Sequence, residues 1–173
     1  MKNKFLLTFI IFFVIFSFFI FLKALNNSNV YIADNIFKEN LVNFKSQELF
    51  STKEISSEEI FKDSEFYILN IWASWCAPCR KEHPILMKLS QNSQVKMIGL
   101  NYKDNFDSAR NFIYKFGNPY SNIMTDKDGV ISIGLGAYGV PETFIIDKNK
   151  KIIKKFIGPL SKKNLDQIIL LVK

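Results

Sequence analysis

Between Lys4 and Lys23 the chain reads "FLLTFIIFFVIFSFFIFL", with Thr8 and Ser17 as its polar interruptions. A helix that is apolar on every side must lie inside a large core or in lipid, and the run stands at the amino terminus with lysines at both ends. At a rise of about 1.5 Å per residue it makes a helix of about 27 Å, slightly shorter than a hydrocarbon core and extended by snorkelling lysines. A cleaved signal peptide shares the basic start, but its apolar region is usually about 7 to 15 residues and ends in small residues. Here the exit reads "KALN". The reading is an uncleaved membrane anchor over residues 1–25. Lys2, Lys4 and the amino terminus before the run, against Lys23 after it, put the amino terminus in the cytoplasm and the rest of the chain outside.

The formal net charge of +7 includes Lys2, Lys4 and Lys23 around the anchor, which leaves +4 for the remainder. The remaining basic residues are interspersed with Asp and Glu rather than gathered in a stripe with aromatic partners, so nucleic acid is not an expected partner. The lysines of 148–155 and 162–163 read as solvated faces of a hairpin and a helix. Residues 26–37 read as a polar tether, and 38–173 as one domain of ordinary size.

Within that domain "FYILNIW" (66–72) is a continuous apolar run broken by Asn70, the pattern of a central strand covered on both faces. A helix is expected from Cys76 to about Ser90, kinked at Pro84. A second buried strand follows at 95–101, then an amphipathic helix over 106–116 that ends at Gly117. Strands at 142–147 and 151–157, joined by a turn at 148–150, form a hairpin, and a closing helix runs from a Ser161 N-cap to Val172. The order is βαβ, helix, ββα: an α/β domain with a mixed central sheet flanked by helices.

Both cysteines of the chain, Cys76 and Cys79, follow the first strand within "WASWCAPCRKEHP". At the opening of a helix their Cα atoms fall about 5 Å apart, within reach of a disulfide. A disulfide closing so short a loop constrains little of the unfolded chain, so a structural staple explains the pair poorly. Cys76, Cys79 and His83 make C-x2-C-x3-H, but a structural zinc site needs four ligands and the chain has no third cysteine or second histidine. Covalent haem attachment requires histidine at position 80, where Arg stands. Copper delivery would need a further soft or imidazole ligand. His83 itself reads as a packed or partly exposed helix residue. Redox chemistry meets no such objection, since free N–H groups and the positive dipole end of the helix stabilise a thiolate at Cys76. Cys79, one turn deeper in the helix and less exposed than Cys76, would stay protonated until it resolves the mixed disulfide. With no cation between the cysteines, a reducing couple of about −200 mV or lower is expected. Pro141 precedes a strand, so it either starts an edge or is a cis residue.

Four stretches, "LNIWASWCAPCRKEHP", "IGLNYKD" (98–104), "GNPY" (117–120) and "YGVPETFIID" (138–147), resemble the membrane-anchored, thioredoxin-like thiol:disulfide interchange proteins of cytochrome c biogenesis. The resemblance implies a thioredoxin fold and Cys76 and Cys79 as catalytic residues. It implies a cis Val140–Pro141 bond facing them, with Trp75, Val140 and Pro141 binding an extended substrate strand. Asn70 stands where typical thioredoxins bury an aspartate that accepts the proton of the second cysteine. Glu82 and Glu142 are the carboxylates that could take its place. No cofactor beyond the redox-active Cys76–Cys79 disulfide is implied. The implied partners are apocytochrome c or an assembly thiol protein, with a membrane thiol reductase as electron donor. The implied location is the periplasmic side of a bacterial inner membrane. A general periplasmic reductase, or a tethered module that binds apocytochrome or metal without electron transfer, are the alternative readings.

Overall fold

The computed structural model describes residues 2–26, 40–51 and 53–173. The chain divides into two units, residues 1–35 and 36–173. Apart from Asn26, the expected tether and the start of the domain at 38 lie outside the described residues. The first unit holds α1 (Lys2–Asn26), 25 residues long. Its stretch Lys4–Lys23 has a mean hydropathy of 3.0, long and apolar enough to cross a membrane by length and composition. The Thr8 hydroxyl donates to the Lys4 and Phe5 carbonyls, so that polar interruption is satisfied within the helix.

The second unit opens with β1 (Lys45–Gln47) paired antiparallel to β2 (Glu54–Ser56), followed by the short α2 (Ser57–Ile60). Next come β3 (Phe66–Trp72), α3 (Ala77–Leu89), β4 (Val95–Tyr102) and α4 (Phe106–Phe116). After them run β5 (Asn122–Asp126), α5 (Val130–Gly134), β6 (Glu142–Asp147), β7 (Ile152–Ile157) and α6 (Lys162–Leu171). The main sheet has the order β5-β4-β3-β6-β7, with β3, β4 and β5 parallel and β6 and β7 antiparallel. This is a thioredoxin-like mixed sheet flanked by helices.

The helices begin where their caps say they should. The Asn105 side chain accepts from the N–H groups of Asp107 and Ser108, and Ser161 with Asn164 forms a capping box at α6. The register of β6 on β7 shifts between Ile145 and Ile146.

Three strands and two helices had no counterpart in the sequence reading: β1, β2 and α2 precede its first strand, and β5 and α5 lie between the 106–116 helix and the hairpin. "NIMTD" is too short and too polar at its ends to show a strand period. It becomes β5 by pairing with β4, and Thr125 is held by Ser46, whose hydroxyl donates to the Thr125 carbonyl at 2.7 Å. With β5 present, two successive parallel crossovers of one hand carry α3 and α4 to the same face.

Side chains alternate across β3, so the sheet has two cores. Ile68 and Trp72 pack with Leu86 and Leu89 of α3, Phe112 of α4 and Ile168 of α6. Tyr67, Leu69 and Ile71 pack on the other side with Ile60, Phe61, Phe144 and Leu135. The expectation of a solvated lysine face fails at Lys155, which is buried: its position in β7 turns it toward Phe144, and a buried acid meets it there.

Candidate active site

β3 ends at Trp72, and four residues later α3 begins with Cys76 as its N-cap. Cys76 and Cys79 are joined by a disulfide with Cα atoms 5.3 Å apart, and Cys76 Sγ accepts the Cys79 N–H at 3.1 Å. The sulfur of Cys76 therefore takes the place of a capping oxygen, where free N–H groups and the helix dipole favour negative charge. The expected contrast in exposure is not found in this oxidised form: Cys76 is 3% and Cys79 2% exposed. Both sulfurs are covered while they are bonded to each other.

The loop before Cys76 is clamped by the end of β4. Asp104 accepts from the backbone N–H and the hydroxyl of Ser74, from the Asn101 amide and from the Asn105 N–H. Trp75 is 59% exposed, with its indole N–H donating to the Lys103 carbonyl at 3.1 Å. "NYKD" thus fixes the loop from outside it, a role the sequence pattern does not reveal.

Val140–Pro141 is a cis peptide bond. Pro141 is buried, and Val140 is half-buried against both cores at the start of β6. β6 lies beside β3, in the centre of the sheet, so Pro141 does not start an edge strand.

The two carboxylates named from the sequence lie on opposite faces of the sheet. Glu82 follows Cys79 by one helical turn on the buried stripe of α3, in the core that includes both cysteines. It is 1% exposed, and its oxygens accept from the Asn70 amide at 2.9 Å and the Leu160 N–H at 2.7 Å. Burial raises its pKa to about 7, and those two hydrogen bonds pull it back down only in part. Glu142 pairs with Ile71, on the other face. Lys155 Nζ lies 2.7 Å from its Oε2, and its Oε1 accepts from the N–H groups of Tyr138 and Gly139. Lys155 also donates to the Gly136 carbonyl and lies 4.3 Å from the Tyr138 ring centroid. The segment leading to Pro141 is therefore wrapped around a buried ion pair.

Asn70, Thr143 and Tyr120 complete the Glu82 side. The Asn70 amide donates to the Thr143 hydroxyl at 3.0 Å, and the Tyr120 hydroxyl donates to Asn70 Oδ1 at 2.7 Å. His83 is buried, its Nε2 lies 3.0 Å from the Gly117 carbonyl, and burial lowers its pKa. It packs edge-on against Phe112, as a core residue would. Among the described residues no three His, Cys, Asp or Glu side chains gather into a group that could hold a metal ion. Sequence reading missed Tyr120, Lys155 and Asp104. Tyr120 and Asp104 stood in the quoted stretches "GNPY" and "IGLNYKD", but nothing in their spacing marks their hydrogen-bond partners.

The family described as Redoxin matches residues 42–169. The thiol:disulfide interchange protein DsbE of Vibrio cholerae serotype O1 is 38% identical over 126 residues, covering 73% of this chain and 67% of that protein. The thiol:disulfide interchange protein HelX of Rhodobacter capsulatus is 40% identical over 100 residues, 58% of this chain and 56% of that protein. Among solved structures, a thiol:disulfide interchange protein of the thioredoxin family from Chlorobium tepidum TLS superposes with a TM-score of 0.62 at 24% identity. The match covers 77% of this chain and 94% of that one, and bears on the fold.

Proposed function

The chain belongs to the Redoxin family, and from that premise we propose that it is a membrane-anchored thiol:disulfide oxidoreductase. It reduces disulfides of apocytochrome c, or of thiol proteins that assemble it, on the periplasmic side of a bacterial inner membrane. The observation that carries this reading is the seat of Cys76 Sγ at the N-cap of α3, with a buried carboxyl one turn beyond Cys79.

In the reduced form Cys76 carries the thiolate and Cys79 the thiol. The Cys76 thiolate attacks one sulfur of the substrate disulfide, forms a mixed disulfide and releases the other sulfur as a thiolate. Cys79 then passes its proton to the Glu82 carboxylate and attacks Cys76 Sγ. The Cys76–Cys79 disulfide forms, and the second substrate sulfur leaves as a thiolate. Two electrons have moved from the protein dithiol to the substrate, and solvent protons complete the two substrate thiols. Cβ atoms three residues apart on a helix lie about 5–6 Å from each other, which puts Glu82 within reach of the Cys79 proton directly or through one water.

Trp75 and Val140 form the docking rim beside Pro141. Val140 carries no hydrogen bond among the described residues, which leaves its backbone to pair with an extended substrate. An oxidising compartment keeps substrate cysteines paired, so haem attachment there requires a local reductant, supplied with electrons by a membrane thiol reductase. The anchor (1–25) and tether (26–37) raise the concentration of the 38–173 domain beside membrane-bound partners.

The test is covalent trapping. The Cys79→Ala chain accumulates a mixed disulfide through Cys76, whereas Cys76→Ser traps nothing and loses disulfide reduction. An apocytochrome or assembly thiol protein in the trapped adduct supports the reading. Trapping of many unrelated proteins points to a general reductase. Undiminished partner binding in both variants, with no adduct, would overturn electron transfer altogether.

A further inference from the structure

Behind the cysteines, three buried side chains stand in series on one face of the sheet. Asn70 is 0% exposed, and its amide has one acceptor and two donors to satisfy. In the structure both amide hydrogens have acceptors, Glu82 Oε1 and Thr143 Oγ1, and Oδ1 takes the Tyr120 hydroxyl. We propose that Tyr120 is a positioning residue for disulfide exchange, whose hydroxyl locks the Asn70 amide so that N–H, not C=O, faces Glu82. The inference deepens the exchange reading above and rests on it.

A flipped amide would meet the wrong partners on both sides. Oδ1 would then stand where Nδ2 stands, 2.9 Å from Glu82 Oε1, and two acceptors tolerate that distance only if the carboxyl holds a proton between them. The flip would also turn the amide N–H toward the phenol oxygen, leaving the phenol proton to find another acceptor. Among the described residues the phenol hydroxyl's only hydrogen-bond partner is Asn70. Burial and the nearby Glu82 charge both raise the Tyr120 pKa well above its ordinary value, so the phenol remains a donor. Tyrosine therefore favours the amide orientation that suits an ionised Glu82, the form able to take the Cys79 proton. Phenylalanine would leave Oδ1 bare and remove the phenol's bias against the flipped amide, the orientation that accepts from a protonated Glu82.

The ring of Tyr120 is itself held in place. It stacks on Trp72 at 6.0 Å with 16° between planes, and a Cβ on Gly99 would come within 3.0 Å of both rings. Few other groups can shift the Glu82 equilibrium. On α3 its buried neighbours are Cys79 and His83, the latter turned to Gly117. β3 contributes Asn70, β6 contributes Thr143 through that amide, and the segment before α6 contributes the Leu160 N–H. Lys162, Lys163 and Asp166 of α6 are exposed, and Lys155 faces Glu142 across the sheet.

The experiment is a carbon-13 NMR titration of the Glu82 carboxyl in the full chain in detergent micelles, with the signal assigned by its loss in Glu82→Gln. Tyr120→Phe raises the midpoint by about one pH unit, the size of one buried hydrogen bond to a charged group. The pH profile of disulfide reduction moves with it. Phe112→Leu disturbs the same Trp72 packing, at 5.1 Å, without touching Asn70, and leaves the midpoint in place. Should Tyr120→Phe not fold, Asn70→Ala carries the same expectation of a raised midpoint. A midpoint unmoved in the folded variant, or moved equally by Phe112→Leu, overturns the inference. Failure of the exchange reading would show separately, as a wild-type chain that opens no disulfide however Glu82 titrates.

Discussion

Among the described residues each face of the central sheet buries one glutamate, and the two keep different company. Glu82 and Glu142 are both 1% exposed. Around Glu82 stand an amide and a backbone N–H, all neutral, so desolvation dominates and its proton is held up to about pH 7. Glu142 has an ammonium group 2.7 Å away and two backbone N–H groups from the segment before Pro141. Burial alone therefore does not give a carboxylate its task. The neutral surroundings suit a group that exchanges a proton, and the ion pair suits one that holds a loop in shape.

The largest effect is expected at Lys155. Lys155→Met leaves Glu142 buried without its cation and is expected to cost about 3–5 kcal/mol in chemical denaturation. A loss below about 1 kcal/mol would mean that the pair contributes little to the shape of the loop.

The Glu82 face is tested by pH. Because folding raises its pKa from the ordinary 4.5 to about 7, the folded state binds this proton more tightly than the unfolded chain. The stability from that proton is fully present below pH 4.5 and lost as pH rises through 7, a change of about 3 kcal/mol. Glu82→Gln, which carries no titrating group, should flatten that part of the curve. Parallel curves for the two proteins would refute the assignment.

Gly99→Ala acts on the same face through packing. Its Cβ would sit 3.0 Å from Trp72 Nε1 and from two Tyr120 ring atoms, so the rings must shift. A loss of about 2 kcal/mol in the denaturant midpoint is expected, the ordinary cost of overpacking. The smallest effect sharpens the ion-pair side. Lys96 lies 2.8 Å from Asp63, nearly the same separation as Lys155 from Glu142, but the Asp63 side chain is 53% exposed. The Lys96 hydrogen bond, foremost, holds the Asp63 pKa below its ordinary value, yet Asp63→Asn should change the melting temperature little, because solvent screens the pair.

The cysteine strand–helix unit was legible because each of its signals is local. An apolar run makes β3, Cys76 caps α3, and Asn105 and Ser161 begin α4 and α6 where the expected helices begin. β5 and α5 were not legible, since a five-residue strand shows itself through its partners rather than its period. Glu82 was named, but its surroundings were not: an acid beside Lys81 on an exposed-looking helix gives no hint that Leu160, 78 residues away, supplies its hydrogen bond. Lys155 misled outright, standing in a lysine-rich hairpin whose other lysines are not buried.

The amino-acid order by itself determined the long apolar helix at the amino terminus, the placing of both cysteines at a helix mouth and the hairpin that closes the sheet. These depend on side-chain periodicity, capping and turn chemistry within a few neighbours. Tertiary structure alone decided which glutamate lacks a cation, which way the Asn70 amide points and which lysine is buried. Such properties are fixed by desolvation and by partners from distant segments, and neither exists until the two faces of the sheet have closed.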